Sequence, residues 1–251
     1  MNTHLISLIL FVSLFAVIFI GRYARRHLPD DHLSADSRDT VKLAMGLVAT
    51  MTALLLGLLV SSAKETYDTQ RSEVIKMASK VVFLNRVLVT YGPDASVAHA
   101  EFRNSVVDVV HRMWPEEASK AGQLGLNVPQ GDAFYAALQA LTPRDDLQRG
   151  LKAEASSLVM EIAQLRVLML AQAEPSIPRP LLIMVACWLL IIFLYFSLLA
   201  PPNITTVLSL TAAAISVAGA LFLIMELDQP FAGTIRISSA PMVHALKQIT
   251  P

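Results

Sequence analysis

Four stretches of this chain are apolar for long enough to cross ~30 Å of hydrocarbon as helices. They are His4 to Gly21, Val41 to Ala63, Pro180 to Leu199 and Thr205 to Leu227. Lys42, near the start of the second run, is tolerated there because its long stem lets the charge snorkel to the interface. The first run is not flanked like a cleavable signal. The residues before it, "MNTH", carry no Lys or Arg, and "GRYARRH" after it is no small-residue cleavage site. It reads as a retained helix.

Between the second and third runs lie about 115 residues that are polar enough for water and helical in pattern throughout. The second run continues past Lys64 with no Gly or Pro until Gly92-Pro93. Tyr67, Val74, Val81 and Leu88 recur every seven residues, and Met77, Leu84 and Tyr91 repeat the pattern offset by three. That is a coiled-coil-like seam, with Gln70 as its polar exception. A second helix is expected from a cap at Asp94 or Ser96 to about Met113, with Ala98, Phe102, Val106, Val109 and Met113 on one face. "PEEASKAGQLGLNVPQG" reads as a loop, followed by a short helix over Asp132 to Leu141. Thr142-Pro143-Arg144-Asp145 then has the form of an N-cap, a Pro at the first helical position and an acid in the first turn. The helix it starts carries Leu147, Leu151, Leu158, Ile162, Leu165 and Met169 on one stripe, and Pro175 and Pro178 end it. The two long helices of this region predict an antiparallel stalk with the shorter helices packed on it.

The four apolar runs differ in kind. The first and third are bulky, with Leu, Ile, Phe, Trp188 and Tyr195. The second places Ala49, Ala53, Gly57 and Ser61 four residues apart, and the fourth places Ser209, Ala213, Ser216 and Ala220 on one face. Small faces allow close helix approach in lipid. Two readings fit: the second span packs on the fourth within a chain, or its small face surrounds the axis of an oligomer and lines a pore. No span carries an ionisable residue at its middle, which weighs against a proton-coupled transporter.

Composition narrows the function classes. Charged residues make up 16% and the mean hydropathy is +0.54, so a membrane protein is expected. The formal net charge is zero, which argues against nucleic acid as a partner. The single cysteine, Cys187, excludes an internal disulfide and a multi-cysteine zinc site. No phosphate-binding loop, zinc-protease or nucleophile-elbow motif occurs, so no enzyme and no cofactor is expected. His27, Asp30, Asp31 and His32 cluster in the first loop, where a solvated interfacial loop is the plainer reading than a metal site. Loop charges leave the orientation open. Arg22, Arg25, Arg26 and Arg38 favour an inside first loop, whereas Lys64, Arg71, Lys76, Lys80, Arg179, Arg236 and Lys247 favour an inside central region.

"LAMGLVATMTALLLGLLVSSAKETYDTQRSE", Leu43 to Glu73, and "ELDQPFAGTIRISSAPM", Glu226 to Met242, resemble the bestrophin-like family of bacterial membrane proteins. "RRHLPDDHLSADSRDTVK" is similar to that family's first loop, and the resemblance spans essentially the whole chain. It implies a distant relation to bestrophins, which are homopentameric anion channels. Those have four membrane helices, a pore lined by the second, a large cytosolic helical domain, and a Pro-Phe-Gly segment after the last span with acids that help hold calcium. The resemblance therefore implies an oligomer in a bacterial inner membrane, small inorganic anions as permeants, a cytosolic stalk and a pore-facing Ala49, Ala53, Gly57 and Ser61. A non-conducting scaffold or sensor, whose stalk binds a partner, is the rival reading. Two departures stand out: the second span has no aromatic residue, and Glu226 and Asp228 alone fall short of the 6–8 oxygens calcium takes.

The expected chain is thus an all-α integral membrane protein with four transmembrane helices and an extramembrane helical stalk domain between the second and third. Residues 1–63 hold the first two spans, 64–179 the stalk, 180–227 the last two spans, and 228–251 a tail packing at the membrane surface or on the stalk. To dock that tail Glu226 and Asp228 cap or pair with basic groups, Pro230-Phe231 makes the turn, and Ile235 and Ile237 share one face of an extended segment.

Overall fold

The computed structural model describes residues 3–27, 35–115, 129–172, 177–199, 201, 203–231 and 233–249. They are helical throughout, with no strand among them. The helices are α1 (Thr3–Arg25), α2 (Ala35–Tyr91), α3 (Ser96–Met113), α4 (Pro129–Gln139), α5 (Asp146–Ala171), α6 (Arg179–Leu199), α7 (Ile204–Leu227) and α8 (Ala240–Ile249). Parts of α1, α2, α6 and α7 are long and apolar enough to cross a membrane. The clustered first-loop residues Asp30, Asp31 and His32, most of the loop from Pro115 to Gly131, and Pro175 lie outside the described residues.

The chain divides into two compact units, Met1–Glu65 with Ser176–Asp228, and Thr66–Pro175 with Gln229–Pro251. Helix α2 contributes to both. It runs unbroken for 57 residues, because nothing between Leu58 and Val89 removes a helical hydrogen bond. Gly92 stops it with φ of 100°, a left-handed conformation that glycine adopts without a Cβ clash.

In the first unit α1 packs on both α6 and α7. The core is thin: Leu14, Ile18, Leu59, Ala63, Val185, Leu189, Phe193, Leu221 and Ile224 are buried with a few neighbours. A close approach occurs at Gly21. A Cβ there would lie 2.7 Å from Ser197 Cβ and 3.2 Å from the Leu194 carbonyl oxygen. Only a residue without a side chain fits. Ser197, itself buried, donates its hydroxyl to the Ile18 carbonyl across the same contact.

The second unit has a continuous core. Val74, Met77, Val81, Leu84, Leu88 and Tyr91 of α2 are all buried in it, so the seven-residue seam marks the buried face. On α3, Ala98, Phe102, Val106, Val109 and Met113 are the buried residues, and Phe102 meets Phe134 of α4 with ring centroids 5.1 Å apart.

Local starts differ from the sequence expectation. Helix α3 is capped by neither Asp94 nor Ser96. A 3-10 turn over Pro93–Ala95 leads into it with no side-chain cap, and Asp94 instead accepts from Arg144 at 2.8 Å. Helix α4 begins three residues earlier than Asp132 and ends before Leu141. Helix α5 starts not after Thr142 but at Asp146, because Asp145 is the better cap: its carboxylate accepts from the Gln148 backbone N–H at 2.7 Å. Gln148 Oε1 returns a bond to the Arg144 N–H at 2.8 Å, a reciprocal arrangement close to a capping box. Leu147, at the first turn of α5, is exposed rather than part of the buried stripe, while Ala155, Leu158 and Met169 are buried.

Candidate functional site

Two places follow from the sequence: the small face of the second span and the segment after the last one. On α2, Ala53, Gly57 and Ser61 are exposed and Ala49 is half-buried. A Cβ built on Gly57 meets nothing within 4 Å. The face of the same helix that packs within the chain carries Thr52, Leu59 and Ala63. The small residues of α7 behave alike: Ser209, Ala213 and Ser216 are exposed, while Ala214, Ala218, Leu221 and Ile224 are buried. Packing of span two on span four through their small faces is therefore not formed within the chain. The reason is geometric. Each helix turns an adjacent mixed strip inward, with Leu59 on α2 and Leu221 and Ile224 on α7 among smaller residues.

The open face of α2 continues beyond the apolar run. At 100° per residue, Ala53, Gly57, Ser61, Lys64, Asp68, Arg71 and Ile75 all fall within an arc of about 80°. Each of them is exposed. A small-residue stripe thus passes into a stretch with two basic residues and one acid.

After α7 the chain does not extend. Residues 233–235 are bends, Gly233 takes a φ of 80°, and the Ile237 N–H donates to the Pro230 carbonyl at 2.9 Å. The expected extended "TIRIS" is thus a closed loop, its backbone turned by Gly233. Ile237 is buried and Ile235 only partly, so the two do not form an equivalent pair. Pro230 and Phe231 are buried at the turn. Phe231 and Ile237 enter the core of the second unit together with Met242, Ala245 and Ile249 of α8. Trp114 fastens the loop twice. Its indole N–H donates to the Ile237 carbonyl at 2.7 Å, and its ring meets Phe231 edge-on at 6.4 Å. Tyr67 donates to the Arg236 carbonyl at 3.5 Å and Asn85 to the Gln248 carbonyl at 3.2 Å.

Glu226 and Asp228 end the first unit. Both are buried, at 1% and 7% exposure, on the C-terminal turn of α7. That is the negative end of a helix dipole, so burial of two acids there requires compensation, and both have interaction partners.

Helix α8 was missed by sequence reasoning, although "APMVHALKQI" carries the signal. Pro241 sits in its first turn, and Met242, Ala245 and Ile249 recur at helical spacing and are buried. The second unit also has a cleft of about 270 Å³, partly open to the surface and lined by Met77, Leu84, Phe102, Phe134 and Arg166 among others. Burial, then repulsion from Arg112, pulls the Arg166 guanidinium below its ordinary value, and Asp108 offsets part of this. On the surface Lys80 pairs with Glu161 and holds that carboxylate below the usual range. No cluster of metal-ligating side chains occurs among the described residues.

Comparison with known proteins adds three findings. The family model described as a Bestrophin-like domain matches residues 11–242. A bacterial bestrophin homologue from Klebsiella pneumoniae, solved as a point variant, has a similar fold, with a TM-score of 0.69 over 96% of this chain and 97% of that one, at 13% identity. No curated protein matches.

Proposed function

This chain belongs to the bestrophin-like family, and from that premise we propose that it is an oligomeric membrane channel whose second span faces the conducting axis. The observation that carries the reading is the open small face of α2, where Gly57 has no neighbour to receive a Cβ. A helix face of Ala, Gly and Ser that nothing covers within the chain is suited either to water or to another copy. Its continuation through Lys64 and Arg71, against Asp68, favours small inorganic anions over cations. Exposed Phe83, further along α2 and off this arc, is apolar surface that assembly would cover. By analogy with bestrophins the assembly is a pentamer, the membrane is the bacterial inner membrane, and the polar unit is a cytosolic stalk. The role is conduction and not catalysis.

The test is cysteine scanning in the purified complex after replacing Cys187, which is exposed. Cysteines at Ala53, Gly57 and Ser61 are expected to react with small water-soluble thiol reagents, because the reactive thiolate needs water. Leu54 and Leu58 positions are expected to react less. Mass measurement of the detergent complex and bilayer recording accompany the scan. Inert thiols at every small-face position, together with no conductance, would leave the scaffold reading in place of the channel.

A further inference from the structure

We infer that Gln70, Glu73 and Gln172 form a proton-binding site inside the second unit, with the proton carried on Glu73. Gln70 and Glu73 lie one turn apart on α2 and are 1% and 5% exposed. Gln172 is the C-cap of α5. The Gln70 side-chain amide donates to the Gln172 backbone carbonyl at 2.8 Å, and the side chains of Gln172 and Glu73 hydrogen-bond each other. The two amide nitrogens are thereby turned to partners within the cluster.

What remains is an excess of acceptors. Gln70 Oε1, Glu73 Oε2 and Gln172 Oε1 are each buried without a hydrogen-bond partner. An ionised carboxylate can only accept, so with Glu73 charged all three oxygens face no donor, and buried acceptors left unmade are costly. A proton on Glu73 does two things together. It removes a buried charge, and it supplies an O–H donor that a neighbouring amide oxygen can accept. A hard cation is the other way to satisfy oxygens, but calcium takes 6–8 of them and this cluster offers one carboxylate and two amides.

The surroundings agree with a proton. Lys76, one turn along the same helix, acts on Glu73 through its charge and lowers its pKa. From α5 the facing group is the neutral Gln172. Burial raises the Glu73 pKa, and the opposing effects of Gln172 and Lys76 are smaller. A carboxyl group raised in the folded state contributes stability that is fully present below its unfolded value. That stability is lost as pH rises through the folded value. The contact between α2 and the end of α5 is therefore tightest in acid and loosens on alkalinisation.

The full-length protein in detergent tests this by thermal melting from about pH 5 to about pH 9, a range chosen to bracket a raised carboxyl pKa. Glu73→Gln, a neutral isostere, is expected to match wild type at the acid end and to melt about 3 °C higher at the alkaline end. Parallel pH curves for the two proteins would overturn the proposal. So would calcium or sodium chloride raising the alkaline midpoint of wild type and not of Glu73→Gln, since that would make the cluster a cation site. If Glu73→Gln does not fold, infrared difference spectra of wild type decide the matter. A protonated-carboxyl band that disappears on alkalinisation and shifts in Glu73→Asp supports the site. Its absence throughout the titration excludes it.

Discussion

The two units of this chain bury apolar residues by different rules. In the second unit the hydrophobic stripe is the buried stripe: Leu84, spaced on the seven-residue seam, is 0% exposed. In the first unit hydrophobicity does not say which side is inside. Leu54 and Leu58 are as apolar as Leu84, yet they are 67% and 66% exposed. Water enforces the pattern in one case. In the other, lipid is as apolar as the core, so shape and close approach decide the contacts.

The strongest test of this contrast is a matched pair of truncations. Leu84→Ala is expected to cost about 2–5 kcal/mol, through lost burial plus a cavity. Leu54→Ala is expected to change the stability of the chain by no more than about 0.5 kcal/mol. Thermal melting of the two variants in one detergent checks both. Equal effects would break the comparison.

A second pair concerns glycine. Gly21→Leu places a side chain where Ser197 and the Leu194 carbonyl already stand, and overpacking of this kind costs about 1–3 kcal/mol. Gly57→Leu meets no neighbour within the chain, so its melting point and the mass of the complex are expected to stay near wild type while conductance drops. A Gly57 variant that melts early with its mass unchanged would mean that this face is packed within the chain after all.

Smaller effects are expected at single hydrogen bonds of the second unit. Trp114→Phe keeps a ring near Phe231 and removes the indole donor to Ile237, for about 0.5–1.5 kcal/mol. Limited proteolysis is expected to cut this variant faster between Gly233 and Ser239. Asp145→Ala removes the cap on the Gln148 N–H, at about 1 kcal/mol. Its melting point checks this, and the same substitution at Asp94 is expected to do less, because Asp94 bonds an exposed Arg144.

These contrasts also explain what was legible in the sequence. The seam from Tyr67 to Tyr91 and the α3 face from Ala98 to Met113 could be read because period 3.6 and burial coincide in water. The inward strip of α2, with Thr52, Leu59 and Ala63, could not, since the small face beside it offered a more regular pattern. The start of α5 was misplaced because Thr142 and Pro143 imitate a cap, while the bond that decides is made by Asp145 to Gln148. The tail was half legible. Pro230 and Phe231 signalled a turn, but the closure of that turn by Ile237 and its fastening by Trp114 depend on a residue more than a hundred positions earlier.

That long separation has a consequence for biosynthesis. The core of the second unit begins at Val74 and is completed by Ile249. Pairings such as Asn85 with Gln248 span 163 positions and close only after loop entropy has been overcome. Until the segment from Phe231 to Ile249 has emerged from the ribosome, Trp114 has no Ile237 carbonyl to grip, and the apolar places of Phe231, Met242 and Ile249 stand empty. The nascent chain therefore presents an unfinished apolar cleft during the making of its last two spans. Docking of α8, which brings in Met242, Ala245 and Ile249, is the event that seals it.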